Sequence, residues 1–192
     1  MSRNHGCNFF HSKGAKVADV GCGYGHSTLL LAETYPNSRF YGFDFHEPSI
    51  EQAKQLAKDK GLTNVTIETA KAKDFPGKAY DMITFFDCLH DMGDPAGVAK
   101  HVYSRLDKDG TWMIVEPFAH DTLEQNLNPV GRIYFSFSAT VCTPSSLSQE
   151  VGLALGAQAG EKKLREVVTA GGFTQFRRAA ETPFNLILEA RR

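Results

Sequence analysis

Three glycines at alternate positions follow a short apolar segment near the start of the chain. The segment from Ala15 to Val20 is bounded by glycine and is typical of a buried parallel strand. Gly21, Gly23 and Gly25 supply backbone that takes positive φ without strain, and they leave room for a ligand against the main chain. The pattern predicts a nucleotide-binding turn between a strand and a helix; the alternative is a tight turn without a ligand.

An acidic residue, Asp44, ends the next predicted strand, which runs from Arg39 to Phe43. Open parallel sheets bind ligands at the carboxyl ends of their strands, and an acid about 20 residues beyond such glycines is placed for ribose hydroxyls. The spacing Gly-x-Gly-x-Gly differs from the Gly-x-Gly-x-x-Gly of dinucleotide loops, and no Gly-Lys-Ser/Thr run is present. These features favour a ligand that contains adenosine but no phosphate.

The remaining chain alternates between short apolar strands and helices, which predicts one α/β domain. Ser27 or Thr28 is expected to cap the helix after the glycines, and Pro36 follows the end of that helix. Further helices are predicted over 49–60, 95–106 and 162–170, and further strands over 65–69, 80–86, 111–115, 173–179 and 185–190. The last two strands are joined by a short turn, which predicts a hairpin.

The bulk composition argues against several classes of protein. The chain has 192 residues and a formal net charge of −1, so it lacks the basic surplus of a nucleic-acid-binding domain. No long apolar run suggests a membrane span, and the first residues do not resemble a secretory signal. Four widely spaced cysteines predict neither a zinc site nor a disulfide framework and favour a cytoplasmic location: Cys7, Cys22, Cys88 and Cys142.

One segment, over 118–160, does not belong to the alternation of strands and helices. A connection of about 40 residues is too long for a plain loop. It predicts a lid or a substrate wall, and the alternative is a helical hairpin that fills a surface. The expected organisation is an N-terminal extension over 1–14 and a core over 15–192 that contains this insertion.

Several motifs together resemble the class I S-adenosylmethionine-dependent methyltransferases, over about residues 15–190. The stretch from Val17 to Gly25 is similar to motif I, and Phe43-Asp44-Phe45 is similar to the acidic end of the second strand. The run from Phe85 to Met92 is similar to motif IV, and the run from Leu106 to Pro117 to the motif around the fifth strand. The resemblance implies a Rossmann-like seven-stranded sheet of order 3-2-1-4-5-7-6, with strand 7 antiparallel and helices on both faces.

The same resemblance implies S-adenosylmethionine as the cofactor and a role for each residue of its site. Asp44 accepts hydrogen bonds from the ribose hydroxyls, Asp19 buttresses the amino-acid end, and Phe45 or His46 packs on the adenine. Phe86 and Asp87 lie where the loop after strand 4 meets the methionine portion. The implied cofactor-binding residues are Asp19, Gly21, Cys22, Gly23, Asp44, Phe45, Lys71, Ala72, Phe86 and Asp87.

Two departures from the family pattern accompany this resemblance. The phrases Phe-Phe-Asp-Cys-Leu-His-Asp-Met-Gly-Asp-Pro and Asn-Leu-Asn-Pro-Val-Gly-Arg look closest to bacterial two-domain methyltransferases, in which a winged-helix-like dimerisation domain precedes the core. Here the core begins near residue 15, without that domain. Lys71 stands where relatives often carry an acid that contacts the adenine amino group, and lysine offers donors only. The backbone at Lys71 and Ala72 can still hold the adenine edge, but weaker cofactor binding is expected.

His90 is the candidate catalytic base. It follows Asp87 by three residues, on the loop that the resemblance places at the transfer site, and a neutral imidazole with a pKa near neutrality can take a proton from a hydroxyl. The alternative is a structural histidine bonded to Asp91 or Asp94. A metal site at His90, Asp91 and Asp94 is not expected, because their tight spacing matches no ligand pattern.

The predicted activity is methyl transfer to a small aromatic or apolar acceptor, with the accepting atom (O, N or C) left open. Aromatic residues of the insertion suggest such an acceptor, and Asn126, Asn128 and Arg132 can orient it. The expected partner is a small-molecule acceptor, without nucleic acid or membrane, and a homodimer is one of the oligomeric states left open. The alternatives are a non-catalytic cofactor-binding or regulatory module left from a two-domain protein, and a dinucleotide dehydrogenase, whose loop spacing differs.

Overall fold

The computed structural model describes residues 14–192, so most of the predicted extension over 1–14 lies outside the described residues. Its strands are β1 (Lys16–Val20), β2 (Arg39–Asp44), β3 (Val65–Thr69), β4 (Tyr80–Phe86), β5 (Leu106–Pro117), β6 (Gln175–Glu181) and β7 (Asn185–Arg191). Its α-helices are α1 (His26–Thr34), α2 (Glu47–Asp59), α3 (Pro95–Arg105), α4 (Pro129–Phe137), α5 (Thr143–Leu147) and α6 (Gly160–Ala170).

The strands form one seven-stranded sheet of order β3-β2-β1-β4-β5-β7-β6. β1 pairs in parallel with β2 and β4, and β2 with β3, whereas β7 runs antiparallel to both β5 and β6. The predicted Rossmann-like strand order and the antiparallel seventh strand are therefore confirmed. Because β1, β2 and β3 are parallel, the loops that follow them emerge at the same edge of the sheet.

The chain divides into two compact units, and the first contains the described residues up to 84 together with Arg105–Gly110. Val17 in β1, Phe40 in β2 and Ala32 in α1 form part of its core, and each is only 1% exposed. Burial of these side chains fixes the ends of β1 and β2, from which the glycine loop and Asp44 extend.

The second unit contains Phe85–Ser104 and Thr111–Arg192. Trp112 of β5 is fully buried, and its ring contacts the rings of Phe85 and Phe173 with centroids 5.1 and 5.3 Å apart. These aromatic contacts hold β5 in place within the unit. The carboxyl end of β5 carries Glu116, which is also buried.

Several predicted boundaries shift by a few residues, and one predicted cap is wrong. β5 begins at Leu106 rather than at 111, and α2 begins at Glu47 rather than at 49. Neither Ser27 nor Thr28 caps α1: Gly25 is the N-cap residue, and no side chain makes a capping hydrogen bond. The Thr28 hydroxyl instead donates to the buried carboxylate of Asp19, which the local capping pattern does not reveal.

The predicted insertion over 118–160 is mostly helical. It contains α4, a π-helix over Ser138–Cys142, and α5. The hydroxyl of Tyr134 in α4 donates to the carbonyl oxygen of Phe184 at 2.7 Å, which ties the insertion to the β6–β7 turn. Its function as a lid or substrate wall stays a prediction. None of the helices in residues 14–192 combines the length and the apolar character that crossing a membrane requires.

Candidate functional site

The glycine loop is held against the end of β2 by its own backbone. The N–H groups of Gly21 and Cys22 both donate to the carbonyl oxygen of Phe43, at 2.8 and 3.1 Å. Gly21, Gly23 and Gly25 all have positive φ, of 75°, 53° and 75°. Residues with a Cβ atom are strained at these positive φ angles. The path of the chain therefore requires glycine at the three alternate positions.

Two of these glycines also differ in their surroundings. A Cβ atom added to Gly23 meets nothing within 4 Å, so the backbone at this position is open to a ligand. A Cβ atom on Gly25 would lie 3.0 Å from the Cβ of Ala53, so this glycine allows α1 and α2 to approach each other closely. The loop therefore combines an open face with a tightly packed base.

Asp44 lies half-buried at the end of β2, beside the open part of the loop. Its Oδ2 accepts from the N–H of Gly23 and its Oδ1 from the N–H of His46, both at 2.9 Å. These two hydrogen bonds fix the carboxylate, and each oxygen retains a further acceptor position. The side chain can therefore accept from a pair of ligand hydroxyls without reorganisation.

Asp19 is buried beneath the loop, with 1% exposure. It accepts from the hydroxyls of Thr28 at 2.5 Å and Thr84 at 3.1 Å. Burial raises the pKa of Asp19 to about 6, although both hydrogen bonds act in the opposite direction. The geometry suits the buttressing role that the family resemblance implies, since Asp19 holds the first turn of α1 in place.

The remaining predicted cofactor residues of the first unit follow β1, β2 and β3. The side chain of Phe45 is 72% exposed, Lys71 is exposed, and Cys22 and Ala72 are half-buried. The N–H of Ala70 donates to the carbonyl oxygen of Asp44 at 2.9 Å, which joins the ends of β2 and β3. The structure thus brings these residues together at one edge of the sheet.

The loop after β4 carries the predicted residues of the second unit. Phe86 ends β4, and Asp87 adopts a positive φ of 57°, which is uncommon for a residue with a side chain. The N–H of Asp87 donates to the carbonyl oxygen of Val115 at 2.7 Å. This bond fixes the loop against β5 and leads into a 3₁₀ turn over Leu89–Asp91.

His90 lies in this turn and is 3% exposed. Its Nδ1 lies 2.5 Å from Oε2 of Glu116, and Oε1 of Glu116 accepts from the N–H of Leu89 at 2.9 Å. Nε2 lies 3.3 Å from Oδ1 of Asp91, whereas Asp94 accepts from the N–H of Gly97. His90 is thus hydrogen-bonded to Glu116 and lies at ion-pair distance from Asp91, as the structural alternative supposed for Asp91, whereas Asp94 caps the start of α3 instead.

The electrostatics of His90 also differ from the expected neutral imidazole. Burial lowers the pKa of His90, but the hydrogen bond to Glu116 and the charges of Glu116, Asp91 and Asp87 outweigh burial and raise it to about 9. The expected pKa near neutrality is therefore wrong. Sequence reasoning missed Glu116, and the available signal was an acid that directly follows the apolar run Ile114-Val115.

Two of the three polar residues proposed to orient an acceptor make hydrogen bonds within the insertion instead. Asn126 is buried, and its amide bonds to backbone atoms of His120 and Thr122. Asn128 caps α4 by accepting from the N–H of Gly131 at 2.9 Å. Arg132 is exposed and lines a groove of about 450 Å³ with Leu127 and Phe135. Asn126 and Asn128 also line that groove, but their amides are engaged within the insertion.

Comparison with known proteins finds methyltransferases. A family model described as a methyltransferase domain matches residues 11–172. YcgJ of Bacillus subtilis (strain 168), an uncharacterized methyltransferase, is 28% identical over 122 residues, which cover 62% of this chain and 47% of YcgJ. A demethylmenaquinone methyltransferase of Geobacillus stearothermophilus is 35% identical over 101 residues, which cover 51% of this chain and 43% of the relative. The chain spans about half the length of the curated relatives it matches.

Solved structures share the fold. The crystal structure of YcgJ aligns with a TM-score of 0.66 and 18% identity, over 95% of this chain and 94% of YcgJ. The structure of PigF with SAH aligns with a TM-score of 0.73 and 16% identity, over 94% of this chain and 51% of PigF. At these identities the likeness concerns the fold alone.

The chain belongs to the methyltransferase domain family, and its fold is that of the class I S-adenosylmethionine-dependent methyltransferases. The cofactor of this class is S-adenosylmethionine. The residues at the edge of β1, β2 and β3 fit it: Gly23 presents open backbone, and Asp44 presents a fixed carboxylate to hydroxyl groups.

We expect Asp19 to make stability depend on pH. Its folded-state pKa of about 6 exceeds the usual 3.8, so its contribution to folding is most favourable below about pH 4 and declines as pH rises through 6. Asp19→Asn should remove this decline, which amounts to about 3 kcal/mol. Urea unfolding of the wild type and of Asp19→Asn at acidic and neutral pH measures this decline in the free energy of unfolding. The exposed Asp59→Asn is the control. An equal pH dependence in wild type and Asp19→Asn would contradict the assignment.

Proposed function

We propose that this protein transfers a methyl group from S-adenosylmethionine to a small aromatic or apolar acceptor. The observation that carries the proposal is the pairing of Asp44 with the glycine loop, because it fixes a carboxylate beside open backbone at Gly23. Neither a phosphate-binding lysine nor a pyrophosphate loop accompanies this pair. The site therefore suits an adenosyl ligand without phosphate.

The chemistry divides between the cofactor and the chain. Bound S-adenosylmethionine supplies an activated methyl group on a sulfonium. The chain binds and orients its ligands, and orientation together with exclusion of water can account for much of the rate enhancement in such a displacement. Asp44 and the loop glycines serve binding, while Asp87 and Phe86 border the loop that carries His90.

His90 is proposed as the base that takes a proton from the acceptor. Because Nδ1 is engaged by Glu116, Nε2 is the ring nitrogen left to exchange a proton. The raised pKa makes the neutral form of this ring a stronger proton acceptor than an ordinary histidine, and that form predominates only above about pH 9, so transfer should increase with pH up to that value. Glu116 stabilises the imidazolium that forms and holds the orientation of the ring.

The acceptor is proposed to be a small molecule with an apolar or aromatic body. The groove of about 450 Å³ that contains Leu127, Arg132 and Phe135 lies in the size range of small-molecule sites. Exposed Phe137 and Ile133 extend the apolar surface of α4. A net charge of −1 gives no support to a nucleic-acid acceptor. A membrane partner is not proposed either, and a homodimer is one of the oligomeric states left open.

Transfer itself is tested with S-adenosylmethionine labelled in its methyl group and a library of phenols, amines and apolar small molecules. We expect label in at least one acceptor, together with formation of S-adenosylhomocysteine. The absence of transfer to every acceptor, with cofactor binding intact, would contradict the proposal and favour the non-catalytic cofactor-binding module. Titration with a reduced nicotinamide dinucleotide tests the dehydrogenase alternative.

Removal of the Asp44 carboxylate should weaken cofactor binding. Loss of two charge-assisted hydrogen bonds to ribose predicts that Asp44→Ala binds S-adenosylhomocysteine at least about tenfold more weakly. Isothermal titration calorimetry measures the affinity, and Asp59→Ala removes the same charge from the end of α2 as a control. The role of Asp44 is refuted if both variants bind as tightly as the wild type.

Replacement of Lys71 by an acidic residue should increase the affinity for the cofactor. A carboxylate at this position can accept from the adenine amino group, whereas the Lys71 side chain cannot. Lys71→Glu should therefore tighten binding of S-adenosylhomocysteine by about tenfold. Lys73→Glu makes the same change of charge two residues later, so equal effects in both variants would indicate bulk charge alone. A micromolar or tighter dissociation constant in the wild type would contradict the expected weak binding.

The base role predicts a large loss of turnover without loss of cofactor binding. His90→Ala should lower the transfer rate about 100-fold or more, in line with the usual contribution of general base catalysis. His101→Ala, which changes a histidine of α3, should leave the rate unchanged. Wild-type turnover in His90→Ala would assign His90 to structure instead.

A further inference from the structure

The side chains of His90, Asp91 and Cys142 form a cluster of possible metal ligands. One ligand atom from each of these residues lies within 4.8 Å of the others. His90 and Cys142 are buried, and the side chain of Asp91 is 37% exposed. Cys142 joins the cluster from the π-helix of the insertion, far along the chain from the other two residues. The cluster lies wholly within the second unit.

We propose that His90, Asp91 and Cys142 form a binding site for a divalent transition-metal ion, best suited to Zn²⁺. The donor atoms are an imidazole nitrogen, a carboxylate oxygen and the sulfur of Cys142, whose thiol releases its proton to solvent when it binds the metal. Zinc accepts all three types, whereas magnesium and calcium prefer oxygen alone. The proposal goes beyond methyl transfer, and its test requires no turnover.

The distances permit coordination after small movements of side chains. With bonds of about 2.0–2.3 Å, ligand atoms around tetrahedral zinc lie roughly 3.3–3.7 Å apart. His90 Nε2 and Asp91 Oδ1 are already 3.3 Å apart. The largest separation in the cluster, up to 4.8 Å, therefore needs to contract by about 1 Å.

Glu116 gives the site the support that metal-binding histidines usually have. Such a histidine ordinarily donates its second ring N–H to a carboxylate or a carbonyl group, which fixes the tautomer and the ring orientation. Here Nδ1 lies 2.5 Å from Oε2 of the buried Glu116, so Nε2 is the nitrogen directed at Asp91. Oε1 of Glu116 is held in turn by the N–H of Leu89.

Charge and hydrogen bonding also favour a cation at this point. Carboxylate oxygens of Glu116 and Asp91 lie 2.5 and 3.3 Å from the two ring nitrogens of His90, so negative charge surrounds the proposed site. Oδ1 of Asp91 is buried and accepts no hydrogen bond within the described residues. Nε2 of His90 lies 3.3 Å from this oxygen and the thiol of Cys142 also interacts with the Asp91 carboxylate, and coordination to a cation would satisfy the oxygen in their place.

Cys142 is the last residue of the π-helix over Ser138–Cys142. π-Helical turns are rare and often occur at functional sites. The hydroxyl of Ser138, at the start of the π-helix, accepts from the N–H of Ala157 at 3.1 Å, which fixes this segment within the insertion. Three protein ligands leave a fourth coordination position for a water molecule or another small ligand.

Cobalt(II) titration of the 192-residue chain, after dialysis against EDTA, tests the proposal. Cobalt replaces zinc at such sites, and a cysteine ligand produces thiolate-to-cobalt charge-transfer absorption. We expect this absorption to saturate at one equivalent and to disappear when Zn²⁺ is added. Cys142→Ser should abolish it, Asp91→Asn should weaken binding, and Glu116→Gln should weaken zinc binding about 10–100-fold.

Cys88→Ser is the matched control, since Cys88 is a cysteine that lies outside the cluster. It should retain both the absorption and the affinity. Circular dichroism and binding of S-adenosylhomocysteine verify that each variant is folded. The proposal is overturned if the wild type shows no thiolate-to-cobalt absorption, or if folded Cys142→Ser retains it, because the metal would then be held elsewhere.

Discussion

The hydrogen bond from the N–H of Gly23 to the carboxylate of Asp44 is the constraint on which the cofactor site depends. It requires β1 and β2 to pair in a register that places Val20 beside Phe43. It also requires a loop that can turn with positive φ, which restricts the alternate positions to glycine. A ligand that meets open backbone at Gly23 therefore also meets a carboxylate that is already oriented.

The second unit uses a buried carboxylate in a comparable way. Glu116 receives hydrogen bonds from His90 and from the backbone of Leu89, so its charge is compensated although it is buried. The arrangement fixes the ring of His90 and leaves Nε2 as its reactive atom. A proton and a zinc ion would use the same nitrogen, so metal binding and the base role are mutually exclusive at any moment.

Much of the architecture follows from local sequence patterns, while the contacts within the sites depend on long-range packing. Local sequence patterns predict the glycine loop, Asp44, and the bounds of β3 and β4. They do so because apolar runs, glycines and turn residues lie close together along the chain. Glu116 and Cys142 approach His90 from distant segments, and no short-range pattern encodes that approach. Thr28 likewise looks like a helix cap, but the buried Asp19 recruits its hydroxyl instead.

The most direct test of the cofactor site is a crystal structure of the full chain with S-adenosylhomocysteine. The account predicts that both ribose hydroxyls donate to the Asp44 carboxylate, while the ligand lies against the backbone at Gly23. The hydrogen bonds from Gly23 and His46 to Asp44 should persist in that complex. A ribose bound away from Asp44, or a ligand that leaves the glycine loop uncovered, would contradict the account.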